Sequence, residues 1–452
     1  LLKNDCLKTI LVLGAGKSAT VLLEDLQTAC KINHWQMIVA DASLSLAASK
    51  IITPECARAV ELDASNEENR FKLIEESNLV ISLLPPALHI LVAKDCLRAG
   101  KHLLTASYVD EAVQQLAGEI AGRGLLFLYE MGLDPGIDHM SALKLINEVK
   151  DKGFQIDAFY SHCGGLIAPE SDTNPWHYKI SWNPRNIVRA GQAGAVYREN
   201  SETIHKNYKE IFQNNPVLSL KGLPDLAWYP NRDSVSYMQL YKLPDVPTFI
   251  RTTLRYSNFC KGWNQLVQLG MTSEEDATLI SGCKTYGDWW RSKLFNLQQK
   301  PLSFEQYLEQ YVTNDLQTLI KNQFEYLELN ADTLLPAYAR CSADILQFIL
   351  EAKLALSPAD KDLIVMAHEL DVHQDNKRMR IRSVLKVKGS DQIHTAMAKT
   401  VGLPLSIAAQ LLLSDQISLR GLRIPVDSEI YIPVLNALGK KGISFEEETS
   451  QY

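Results

Sequence analysis

Gly14-Ala15-Gly16-Lys17-Ser18-Ala19 closes the short apolar run Ile10–Leu13 and opens a helical pattern at Val21, Leu22, Leu23, Leu26 and Ala29. The chemistry such a turn can do is anion binding. Gly14 allows a sharp turn, Gly16 lets backbone approach a pyrophosphate, and the small Ala19 lets helix and strand pack closely. The helix N-terminus supplies N–H groups and a dipole. A second run, Met37–Ala40, ends in Asp41, a residue that either caps a solvated turn or accepts the two hydroxyls of a ribose. Asp134, in Gly132-Leu133-Asp134-Pro135-Gly136, either caps a helix or stands as a carboxylate beside a nicotinamide. Ser107 and Tyr108 end another apolar run on the same side. Cys163, before two glycines, is either inert packing or a proton donor. Arg232 in Tyr229-Pro230-Asn231-Arg232-Asp233 and Arg255 in Thr253-Leu254-Arg255-Tyr256 are either salt-bridge partners or forks for substrate carboxylates.

The elements that must position these groups read as strand–helix alternation. Apolar runs at Ala59–Leu62, Leu79–Leu84, His102–Thr105 and Leu125–Leu128 alternate with helical stretches at 66–77, 87–99 and 110–122, with Gly100 as a C-cap. This predicts an α/β fold with a Rossmann-type, doubly wound parallel sheet. Its cofactor loops, at the carboxyl ends of strands, hold Asp63, Leu84-Pro85-Pro86, Thr105-Ala106-Ser107-Tyr108 and Leu133-Asp134-Pro135. Beyond residue 132 the chain is rich in Gly, Pro and Trp loops between strands such as Phe154–His162 and Thr248–Tyr256, which predicts a mixed α/β substrate domain. Amphipathic stretches at Phe304–Leu319 and Ala343–Leu356 predict a helical insert over 259–361. The expected division is 1–132 with 396–452, 133–258 with 362–395, and 259–361. Thr395–Leu413 reads as an apolar helix that returns to cover the first domain.

Composition excludes several classes. With 46 basic and 53 acidic residues the net charge is −7, which argues against a nucleic-acid or anionic-membrane surface. The basic alternation at Arg378, Arg380, Arg382, Lys386 and Lys388 reads as a strand's solvated face rather than a polyanion site. Eight scattered cysteines, with no C-x-x-C pair, fit a reducing compartment. No apolar run nears the roughly 18 residues needed to span a bilayer, and residues 1–8 carry no apolar leader. A soluble, cytoplasmic protein is expected. His368-Glu369-Leu370-Asp371-Val372-His373 places its second histidine five residues on, so the zinc spacing H-E-x-x-H fails and no metal is expected. The G-x-S-x-G elbow of serine hydrolases is missing too.

Longer motifs, in order, carry a resemblance. Gly132–His139, Cys163–Leu166, Lys179–Trp182, Tyr229–Ser234, Thr253–Tyr256 and Ala396–Pro404 are similar to those of saccharopine dehydrogenases of the L-glutamate-forming type. The resemblance implies a Rossmann domain, an α/β substrate domain and a helical domain. It implies substrate contacts at Ser107, Tyr108, Asp134, Arg232, Thr253, Leu254 and Arg255. Cofactor contacts, besides the glycine turn at Gly14, would fall on Ala15, Gly16, Lys17, Ser18, Asp41, Asp63, Ala64, Leu84, Thr105, Ala106, Leu133, Asp134 and Pro135. The sequence departs from the family at Asn183, where a cofactor-binding serine is usual.

The implied reaction is NAD-dependent oxidation of saccharopine, a secondary amine with three carboxylates, to L-glutamate and 2-aminoadipate 6-semialdehyde. Asp134, Tyr108 and Cys163 are its acid/base candidates. NADP is the runner-up cofactor. The NADP-using fungal members of the family carry arginine just after the second strand, where this chain has Asp41-Ala42. An NADP-linked biosynthetic reductase and a carboxynorspermidine-type dehydrogenase are the alternative readings. The expected partner is the small-molecule substrate, with no nucleic acid and no membrane, and self-association into a homodimer is left open.

Overall fold

A computed structural model describes residues 7–451; Cys6 and most of the stretch read as leader-free lie outside them. The chain forms two compact units. The first comprises the chain up to Gln155, His373–Lys377 and Ser383–Ser450; the second comprises Ile156–Val372 and Arg378–Arg382, with Gln451.

The first unit is built on β1 (Thr9–Leu13), α1 (Thr20–Asn33), β2 (Gln36–Asp41), β3 (Ala57–Glu61), β4 (Leu79–Ser82), α2 (Pro86–Ala99), β5 (His102–Thr105), β6 (Leu126–Leu128) and α3 (Ile137–Asp151). Its seven-stranded sheet runs Gly421–Arg423, β6, β5, β4, β1, β2, β3, and every pairing is parallel. Strands covered on both faces must be apolar throughout, and Ile10, Leu11, Val12 and Leu13 are all fully buried. The strand order reverses between β1 and β4, the switch point at which doubly wound sheets bind dinucleotides.

The helix Ala396–Leu413 is capped by Thr395, whose Oγ1 accepts the Ala398 N–H. It packs on α1, so closely that a Cβ on Gly402 would lie 2.8 Å from the Leu22 nitrogen. Among the described residues it is the one helix long and apolar enough to cross a membrane, and 72% of it is buried inside the protein.

The second unit carries a mixed sheet in which β7 (Gln155–Ile167), β8 (Leu226–Pro230) and β9 (Thr248–Tyr256) lie side by side. β9 runs antiparallel to β8 and parallel to β7. β10 (Asp362–Gln374) and β11 (Lys377–Lys388) continue the strand order, with Asp362–Val372 and Arg378–Arg382 belonging to this unit. Helices from Ser257 to Lys353 share one core with this sheet's flank, around Trp176, Phe259, Trp263, Trp289 and Phe324.

Two expected helices are interrupted. The stretch 110–122 splits into Glu111–Gln114 and Ala117–Gly122. Phe304–Leu319 breaks after Tyr311, because Val312 turns extended and Thr313 starts a new helix at Asn314. Two arginines of the basic face of β11 pair with carboxylates of its neighbour. Arg380 makes a forked pair with Asp371 at 2.6 and 2.7 Å, and Arg382 bonds Glu369 at 2.6 Å. His368 and Glu369 thus lie on a strand, and no group of metal ligands forms among the described residues.

Candidate active site

The glycine turn sits at the switch point. Gly14 has φ 101°, a left-handed value that disfavours any side chain, and a Cβ there would meet the Leu83 carbonyl oxygen at 3.1 Å. Gly16 has open space around its missing Cβ. The turn Lys17–Ala19 and helix α1 begin with no side-chain cap, leaving first-turn N–H groups to an anion. These features fit a dinucleotide pyrophosphate. Gly16 and Lys17 are exposed and Ser18 is half-buried. The Asp41 carboxylate accepts the Ala15 N–H at 2.8 Å and the Ser43 N–H at 3.0 Å, which ties the end of β2 to the glycine turn. The exposed Asp63 accepts both the side chain and the backbone N–H of Ser65, and these bonds lower its pKa. The buried Ala64 gives its carbonyl to Arg70. Leu84 follows β4, half-buried.

The loops after β5 and β6 meet in the same unit. Thr105 is buried, and its Oγ1 accepts the Ser107 N–H. Ala106 packs against Gly132, where a Cβ would come within 2.9 Å of the alanine methyl. Tyr108 Oη donates to Asp134 Oδ1 at 3.3 Å, so two of the three acid/base candidates are in contact. Leu133 and Pro135 flank Asp134 and are buried, and the Asp134–Pro135 peptide is cis. The capping role is taken by another residue. Helix α3 is preceded by Gly136 at φ 146°, whose N–H donates to Asp138. Asp134 is therefore not the helix cap.

Ser107 Oγ lies 2.6 Å from His89 Nε2, and His89 Nδ1 lies 2.9 Å from Ser82 Oγ. Burial pushes the His89 pKa down to about 4, so the ring is neutral. This serine–histidine–serine chain holds Ser107 from behind.

In the second unit, Cys163 on β7 is buried and pairs in register with Thr253 on β9. The strands pass so closely that a Cβ on Gly164 would sit 2.5 Å from the Leu254 carbonyl oxygen, which accounts for the glycine after the cysteine. Arg255 is 4% exposed. Its Nη1 donates to the Leu254 carbonyl of its own strand, and its Nε has no partner. Around it stand the phenols of Tyr229 and Tyr178 and the thiols of Cys260 and Cys163, with Tyr178 and Phe259 rings 5.3 and 5.7 Å away. No carboxylate is among these neighbours. Burial pushes the Tyr229 phenol and the Cys260 thiol up to about 12 each, so both stay uncharged at neutral pH. Arg232 is exposed and left-handed at φ 51°.

Comparison with known proteins sets these residues in a lineage. The description "Saccharopine dehydrogenase C-terminal domain" matches residues 132–443, and "Saccharopine dehydrogenase NADP binding domain" matches 10–128. The chain belongs to the saccharopine dehydrogenase family. Saccharopine dehydrogenase [NADP(+), L-glutamate-forming] of Schizosaccharomyces pombe is 32% identical over 97% of this chain and 98% of its own. The apo saccharopine dehydrogenase (L-Glu forming) of Saccharomyces cerevisiae superposes with a TM-score of 0.87 at 29% identity, over 98% of this chain and 100% of that one. Alpha-aminoadipic semialdehyde synthase of Arabidopsis thaliana is 33% identical over 97% of this chain but 44% of its own length. The mitochondrial enzyme of that name from Rattus norvegicus is 32% identical over 98% and 48%. The chain thus spans under half the length of those two relatives.

The stretch that matches the NADP binding domain description, residues 10–128, holds the glycine turn and strands β1 to β6. Asn183 caps a short helix by accepting the Arg185 N–H at 2.9 Å. Three site-linked residues escaped the sequence reading: His89, Glu130 and His139. The one signal that could have raised His139 is its place at the end of the Gly132–His139 motif.

Proposed function

We propose that this chain oxidises saccharopine with a nicotinamide dinucleotide, releasing L-glutamate and 2-aminoadipate 6-semialdehyde. The observation that carries the reading is Arg255, a buried guanidinium with no carboxylate neighbour. An unpaired buried cation costs several kcal/mol, which an anionic substrate offsets. Saccharopine brings three carboxylates, and the forked geometry of Arg232 and Arg255 suits them.

A bound nicotinamide supplies the hydride acceptor. The chain's own residues hold the substrate and move its protons. Ser107, Tyr108 and Asp134 face the secondary amine, which must lose a proton before hydride leaves the lysine-side carbon. Water then adds to the imine, and the carbinolamine collapses into the amine of glutamate and an aldehyde. Asp134 and its partner Tyr108 serve as acid and base in these steps, and Cys163 is held as a further donor. Thr253 and Leu254 line the strand that carries Arg255. The turn residues Gly14–Ser18, with Asp63, Ala64, Leu84, Thr105, Ala106, Leu133 and Pro135, form the cofactor's contact set. The same reading divides the chain into a dinucleotide domain, a substrate domain and a helical insert.

Of the two cofactors we propose NAD. Asp41 closes β2 with a carboxylate that accepts ribose hydroxyls and repels a 2′-phosphate. Lys50, the nearest cation downstream, is engaged, its Nζ donating to Thr20 Oγ1 at 2.6 Å. NADP is the second reading, favoured by the match of residues 10–128 to the family's NADP binding domain and by the similarity to the NADP(+) enzyme of fission yeast. The test is NADH or NADPH absorbance on adding saccharopine, with L-glutamate measured in the same mixture. Equal yields support the reading, and folded protein that reduces neither cofactor overturns it.

A further inference from the structure

We propose that Glu130 and His139 are positioning residues that hold Tyr108 against Asp134. The inference rests on the reading above of Tyr108 and Asp134 as the acid/base pair.

Glu130 is buried and sits at φ 56°, a left-handed conformation that is uncommon and costly for a residue with a long side chain. Its surroundings give that conformation a purpose. The Glu130 backbone N–H donates to the Ser107 carbonyl at 3.0 Å, and its Oε1 accepts the Val109 N–H at 3.2 Å. One residue thus holds the chain on both sides of Tyr108, Ser107 through its backbone and Val109 through its side chain. The other oxygen, Oε2, lies 2.9 Å from His139 Nε2, and the imidazole is completely buried.

His139 and its neighbour Asp138 lie in the first turn of α3, the helix that follows the Asp134 loop. Asp138 N–H donates to the Leu133 carbonyl at 3.0 Å, and its Oδ1 accepts the Gly136 N–H at 2.6 Å. Asp138 Oδ2 also lies 3.6 Å from His139 Nδ1. Glu130 lies in the same loop as Asp134, so its bonds to Ser107 and Val109 join that loop to the one bearing Tyr108, and the carboxylate–imidazole link anchors Glu130 to α3. Both loops belong to the first unit, and the Tyr108–Asp134 bond spans their tips. Since the 3.3 Å contact between those tips is long for an O–H···O bond, small movements of either loop would break it.

The length of the Glu130 side chain is what the role needs. Glu130→Asn tolerates a left-handed backbone but falls one methylene short of Val109 and His139. Glu130→Gln keeps both the reach and an acceptor. We expect Glu130→Asn to lower kcat for saccharopine about tenfold, with cofactor KM changed less than about twofold, and Glu130→Gln to recover most of the loss. In a Tyr108→Phe background the same Asn substitution should change kcat by less than about twofold, since its effect passes through Tyr108.

A readout independent of activity uses protein labelled with 13Cζ-tyrosine. The Tyr108 resonance, assigned by its loss in Tyr108→Phe, should shift in Glu130→Asn and stay in place in Glu130→Gln. A full Asn effect in the Tyr108→Phe background, or an unmoved Tyr108 resonance, overturns the proposal. If the parent does not oxidise saccharopine, the functional reading fails by itself, and the resonance still decides the positioning role. If Glu130→Asn does not fold, His139→Ala breaks the same link from the other end, with the same expected shift and the same overturning result.

Discussion

Replacing Arg255 with methionine should separate binding from stability in a way that a structural arginine would not allow. The guanidinium is 4% exposed, its Nε is unsatisfied, and its Nη1 hydrogen bond returns to the adjacent Leu254 carbonyl. Burying such a cation without a counter-charge costs several kcal/mol. Against that stand one hydrogen bond and the contacts with Tyr178 and Phe259, together about 1–3 kcal/mol. Methionine fills similar space and carries no charge, so the folded state should lose nothing or gain. We expect Tm unchanged or raised, where 1 kcal/mol corresponds to about 2–4 °C in a domain of this size. Saccharopine binding should weaken by about 1.5–3 kcal/mol, roughly ten- to a hundredfold, because a charge-assisted pair is lost. Calorimetric titration of saccharopine into the NADH-bound protein, beside thermal melts, measures both quantities. A large fall in Tm with saccharopine affinity intact would make Arg255 a structural cation and refute the reasoning.

Arg232→Ala, at an exposed position, should likewise weaken saccharopine binding about tenfold while NADH binding persists; unchanged saccharopine affinity would leave Arg232 outside the site. Asp41→Ala should raise kcat/KM for NADP relative to NAD, and an unchanged ratio would make Asp41 a bystander. Stability should fall with acid through His89. The unfolded chain takes up that proton near pH 6.5 and the folded one only near 4, so protons favour the unfolded state in between. The loss is about 3 kcal/mol over that window, and denaturant melts of His89→Gln should lack that part of the slope.

Much of the fold and part of the site can be read from residue order. The run from Ile10 to Ala19 states a strand, a glycine turn and a helix in consecutive residues, and each step is a local preference. Asp41 follows by the same logic. The cap of α3 was out of reach. Residue type suggests Asp134 as the cap, yet the N-cap position falls on Gly136, where a Cβ would lie 2.1 Å from the Gly132 carbonyl oxygen. Glu130 and His139 are nine residues apart across a turn, and His89 reaches Ser107 from a helix eighteen residues earlier. Neither pairing leaves a periodic trace. The break at Val312 is hidden too, since an apolar residue continues the helical pattern that its extended backbone ends.

The central claim is which carbon–nitrogen bond of saccharopine is oxidised. Saccharopine deuterated at the lysine-side carbon, incubated with the protein and NAD or NADP, traces the hydride directly by mass spectrometry. The account predicts deuterium in the reduced cofactor and L-glutamate in equal amount. Lysine and 2-oxoglutarate as products, with no deuterium in the cofactor, would contradict it.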